Sequence, residues 1–356
     1  MTAAALWASL SAEQLVDGEM PEQDRTASPW FVRVMLGIAG WIGALFLLLF
    51  VGAGFAFIMD DPEIALLVGA ACCAGAWFLF RKFEDNDLAE QFGLAVSLAG
   101  QVLIIIGLAQ YLRPEDPPLY FAVAATLAAL ALAVPNSLHR VLTSGGAAVA
   151  LALGISQLEL HGIAAPLLSL GLAWVWLEPR RWALGGRIWR PVGHGLVLAL
   201  LLVETFRLFG AWQLFGMGQE APTWFSLYGP LLGRGLTAAA VVGVALALTR
   251  REGAEGAALS FTLGAAFVVA LLSLAAPGLT SALLVLLLGF AAGNRILIAL
   301  GILSLLGFVA HFYYSLHATL LEKSGILAVT GLCLLAAYAL LSRRFPSPEP
   351  RVSDHA

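Results

Sequence analysis

Glu204 is the carboxylate set deepest inside an apolar run of this 356-residue chain, in Leu200-Leu201-Leu202-Val203-Glu204. A charge in a membrane-length segment is costly, so it marks a candidate site. Arg207 follows three residues on, on the same helical face. Arg234 enters the next apolar run. On neighbouring antiparallel helices, Glu204 and Arg234 would each lie roughly 7 Å below the outer ends, at about 1.5 Å per residue. They are expected to meet as an ion pair. Two readings stay open: a structural pair with arginines reaching for the headgroups, or a group lining a polar pathway.

A second concentration of reactive types lies at His311 to Ser324. Tyr313 and His317 are four apart and share a helical side, with Tyr314, Glu322 and Lys323 close in sequence. His311 and His317 are six apart and fall on different sides, which does not suit one metal. Either this is an interfacial aromatic belt closed by a polar turn, or it is a docking surface for a partner. His194, near the inner end of Glu204's helix, reads as interfacial. Gln101 and Gln110 read as ordinary interhelical hydrogen-bonding groups.

No catalytic constellation emerges. Cys72, Cys73 and Cys333 sit in apolar runs, where a thiol behaves as a small hydrophobe. No metal-ligand spacing, phosphate loop, nucleophile elbow or zinc-protease motif is present. No basic patch of the nucleic-acid-binding kind occurs. The expectation is a protein with no enzymatic activity, no cofactor and no metal.

The elements that must position these residues are membrane spans. The chain is 60% hydrophobic and 12% charged, with mean hydropathy +0.88. Soluble domains carry about a quarter charged residues. The apolar runs approach the ~20 residues that cross a bilayer, without the alternation of an outer-membrane barrel. Twelve spans are expected, at about 34–58, 64–80, 92–112, 118–134, 139–156, 162–177, 192–209, 230–249, 257–275, 279–292, 296–316 and 325–341. The fold expected is an all-α polytopic transmembrane bundle over residues 30–342. An acidic segment, 1–29, precedes it, either a short amphipathic surface helix or a loose tail; it lacks the basic start of a cleavable signal. A Pro/Ser-rich tail, 343–356, follows and reads as disordered.

Arginine and lysine set the orientation. With the N-terminus inside, fifteen of them fall in cytoplasmic segments; Arg113, Arg207, Arg234 and Lys323 are the four that do not. That asymmetry places both termini in the cytoplasm and favours the short tenth span as a true crossing. The break at Gly293-Asn294 falls at the cytoplasmic edge, so it reads as a tight loop and not as a transporter's interrupted helix.

Two stretches carry a family resemblance. Ser28-Pro29-Trp30-Phe31-Val32-Arg33 leads to Gly40-Trp41. Gly293-Asn294-Arg295 leads through Phe312-Tyr313-Tyr314-Ser315-Leu316 to Thr319-Leu320-Leu321-Glu322-Lys323-Ser324 and Gly331. Together these resemble the bacterial multi-pass family labelled domain of unknown function 4401. The resemblance implies a bacterial inner-membrane protein. It also implies a small membrane protein with a Gly-Asp-Tyr motif as partner, and it supplies no activity. The leading expectation is therefore a non-enzymatic membrane component that assembles with a membrane or periplasmic partner in the lipid bilayer. The alternative is a small-solute transporter using Glu204, Arg207 and Arg234.

Overall fold

The computed structural model describes residues 60–83, 87–210, 224–253 and 278–315, with isolated positions elsewhere. Among the described residues the structure is helical, with no strand. The helices are α1 (Pro62–Lys82), α2 (Asp87–Tyr111), α3 (Pro117–Ala133), α4 (Ser137–Gln157), α5 (Ala164–Leu177), α6 (Pro179–Leu208), α7 (Trp224–Arg251), α8 (Leu279–Ala291) and α9 (Arg295–Ser315). They correspond to the second to eighth, tenth and eleventh expected spans. The first and twelfth spans, most of the ninth, and nearly all of the two terminal segments lie outside the described residues.

Local chemistry sets the helix ends. Asp61 caps α1, its Oδ1 accepting from the Glu63 and Ile64 amides at 2.9 and 3.3 Å, with Pro62 in the first turn. Val134 and Glu178 are extended because prolines follow them, which stops α3 and α5. Asn136 caps α4 through the His139 amide at 2.7 Å. α6 starts thirteen residues before the expected 192, and α7 six residues before the expected 230. The added start of α6 is rich in arginine, whereas that of α7 is aromatic, with Trp224, Phe225 and Tyr228.

The chain divides into two compact units, Met1–Ile104 and Ile105–Ala356. In the first, small residues form the seam between α1 and α2. A side-chain carbon added at Gly69 would lie 2.7 Å from the Gly100 carbonyl oxygen, so the backbones touch there. Cys73 is buried in this seam, its Sγ 3.7 Å from the Ser97 carbonyl oxygen, as expected of a structural thiol.

In the second unit α3 packs on α4, α4 on α6, and α8 on α9, with α5 meeting α6, α7 and α8. Leu172, Leu200, Leu284, Leu288 and Leu297 are fully buried at its centre. Glycine permits the α4–α6 crossing: a carbon at Gly145 would come within 3.2 Å of the Gly195 carbonyl oxygen.

Six helical segments are long and apolar enough to cross a membrane: Pro62–Lys82, Ala89–Tyr111, Ser137–Gln157, Gly185–Leu208, Trp224–Arg251 and Arg295–Ser315. α3, α5 and α8 are equally apolar but shorter, at 17, 14 and 13 residues. At about 1.5 Å per residue, α8 measures roughly 20 Å against a hydrocarbon core of about 30 Å.

Candidate functional site

α6 carries the buried charge. Glu204 is 4% exposed, four residues before the end of that helix. Arg207, one turn on, brings Nη2 to 2.6 Å from Glu204 Oε2. The i,i+3 spacing makes this contact on a single helix. The other carboxylate oxygen reaches a different element: Ser281 Oγ donates to Glu204 Oε1 at 2.8 Å. Ser281 is the third residue of α8, in the turn where unpaired amides and the helix dipole favour negative charge. The carboxylate therefore clasps α6 to the start of α8.

Arg234, half-buried on α7, lies within electrostatic reach of both Glu204 and Arg207. Arg207 Nε is buried and takes no hydrogen-bond acceptor among the described residues. Ser281 is the member that sequence reasoning missed. Its signal was faint: adjacent hydroxyls, Thr280 and Ser281, both buried, at the head of a short apolar helix.

The C-terminal end of α9 is described as far as Ser315. His311 meets Phe209 edge-on with ring centroids 5.1 Å apart, joining the ends of α9 and α6. Tyr313 and Tyr314 stand perpendicular at 5.6 Å, and Tyr314 is 80% exposed. His317, Glu322 and Lys323 lie outside the described residues.

Near the middle of α6, His194 joins the α8–α9 turn. Its Nδ1 lies 2.7 Å from the Arg190 carbonyl oxygen and so carries the proton. Its Nε2 then accepts from Asn294 Nδ2 at 3.3 Å. Asn294 Oδ1 is committed to the amides of Ile296 and Leu297, at 2.9 and 3.2 Å, which fixes the amide's orientation. The break before α9 is thus a tight capped turn, with Gly293 at φ 60. His194 is half-buried and edge-on to Trp176 at 5.3 Å.

A long apolar cleft of about 480 Å³ opens on the second unit. α4 forms its floor through Gly145, Gly146 and Ala150. Leu127 of α3 and Leu198 and Leu202 of α6 form its walls. Along α4 it runs from Val141 to Leu153, roughly 18 Å at the helical rise.

Among the described residues no three His, Cys, Asp or Glu side chains are grouped to hold a metal. A family model described as a domain of unknown function (DUF4401) matches residues 29–344. No curated protein and no solved structure matches the chain.

Proposed function

The chain belongs to the DUF4401 family, and from that premise we propose that it is a non-enzymatic component of the bacterial inner membrane that receives a transmembrane helix of a small partner protein. The membrane reading is supported by six helices long and apolar enough to cross a bilayer and by the family. The finer topology, twelve spans with both termini in the cytoplasm, is supported by the distribution of arginine and lysine.

The cleft carries the partner reading. It is apolar along its length, which suits a lipid-embedded ligand and not a hydrated solute. Its floor pairs Gly146 with Ala150, four residues apart. Ala150 itself packs in the α3–α4 core, so a partner helix would meet the cleft through its lining leucines Leu127, Leu198 and Leu202. The exposed Tyr314 offers a further contact at the outer end of α9.

The test fills the cleft from its wall. Leu198 and Leu202 are each 41% exposed, so larger side chains there need not disturb the core. Tagged protein from the native host is expected to carry a stoichiometric small membrane protein. Leu198→Trp/Leu202→Trp is expected to lose it while melting at an unchanged temperature. Equal recovery in both preparations would remove the cleft from the account.

The transport reading is favoured by one observation: a buried carboxylate and a guanidinium with an unsatisfied Nε share one place. Glu204→Gln separates the two readings. Loss of solute uptake at normal protein yield supports transport; a drop in yield alone assigns the cluster to folding.

A further inference from the structure

α6 is two helices joined at a bend. Gly185 has φ −147 and ψ 30, outside the helical region, and the membrane-length part begins there. The residues around this bend are basic and aromatic: Arg180, Arg181, Trp182, Arg187, Trp189 and Arg190. Arg140, near the start of α4, joins them. Its Nη1 donates to the Arg187 carbonyl oxygen at 3.0 Å and its Nε to the Ala131 carbonyl oxygen at 3.1 Å.

These contacts hold positive charge together. Arg187 and Arg190 are exposed and three residues apart, on one helical face. The Arg190 guanidinium lies 5.0 Å from the Trp182 ring centroid. Trp182 is itself fixed, its Nε1 donating to the Val175 carbonyl oxygen at 2.9 Å. Among the described residues none of Arg140, Arg187 and Arg190 is paired with a carboxylate. Glu178 is the sole acid in the sequence between Glu159 and Glu204, and none lies between Asp116 and Glu159.

We propose that this bend is a seat for the phosphate of an anionic phospholipid headgroup. Guanidinium forks match phosphate oxygens, and stacking on an aromatic ring orients the fork. Tryptophans belong at headgroup depth, so Trp182 and Trp189 set the bend where such phosphates lie. A basic cluster at the membrane end of a bundle, without its own counter-ions, is what anionic headgroups neutralise. The inference rests on the membrane reading and is independent of the cleft and its partner.

The test uses the full chain purified in a neutral detergent, with melting temperature as the readout. Phosphatidylglycerol is expected to raise it by several degrees over an equal mole fraction of phosphatidylcholine, and less so at high salt. Arg187→Gln/Arg190→Gln is expected to lose most of that difference while melting normally in phosphatidylcholine. Arg187→Lys/Arg190→Lys is expected to retain part of it, and serves as the comparison should the glutamine variant fold poorly. Equal stabilisation by the two lipids, or an undiminished difference in the glutamine variant, would overturn the proposal. An equal rise with millimolar inorganic phosphate alone would assign the seat to free phosphate and overturn the lipid.

Discussion

Glu204 faces two kinds of partner, and they contribute unequally. Arg207 supplies an opposite charge from one turn away on the same helix, and Ser281 supplies a neutral hydroxyl from α8. Glu204→Ala leaves a partly buried arginine without its counter-charge, so a loss of up to about 3–5 kcal/mol is expected, reduced by the 21% exposure of Arg207. Ser281→Ala removes one hydrogen bond and is expected to cost about 1 kcal/mol. Reversible unfolding of both variants and their combination in detergent micelles checks this. Strict additivity would mean that carboxylate and hydroxyl do not interact. The pairing with Arg207 was legible because three residues on one helix fix the geometry. The hydroxyl was not, because it arrives from 77 residues away through packing that spacing does not encode.

Helix ends decide the element scale. Asn294 both caps α9 and donates to His194, tying the α8–α9 turn to the middle of α6. Asn294→Ala is expected to lose about 1–2 kcal/mol, near the top of the usual range for a lost cap. Asn294→Ser keeps a capping oxygen and gives up the reach to His194, so an intermediate loss is expected in the same unfolding measurement. If both variants melt alike, the tie to His194 contributes nothing. Here the sequence was partly readable. Asn before Arg295-Ile296 is a helix-start pattern, and the tight turn was anticipated. The early start of α6 was not, since Arg180, Arg187 and Arg190 lower hydropathy without opposing the helix; that of α7 was not, since Trp224, Phe225 and Tyr228 read as a connector. The bend at Gly185 was equally hidden, because a glycine inside a helical pattern is compatible with a straight helix.

At the scale of the molecule, the helical architecture of the described residues, with its apolar helices of membrane length, was legible because apolar run length is an average that survives local error. The cleft was not, because it is lined from four helices, and the approach of two of them depends on Gly145 meeting Gly195. Crossing number is the quantity to check at this scale, since α8 has only 13 residues. With twelve crossings, reporters fused after residue 356 and before residue 1 are both expected to be active only as cytoplasmic fusions. Opposite sides would mean an odd number of crossings, and α8 would be the first helix to reassign to a re-entrant path.

The proposed seat for a partner's helix, the cleft over α4, can be probed in the cell. Its most direct measurement is a photo-activated crosslinker placed at Leu202, on the cleft wall, in the native host. The account predicts one adduct of a small membrane protein at Leu202, absent when the crosslinker is moved to Leu303, which is 66% exposed on α9 and outside the cleft lining. Adducts only with lipid, or only within the chain, would contradict it.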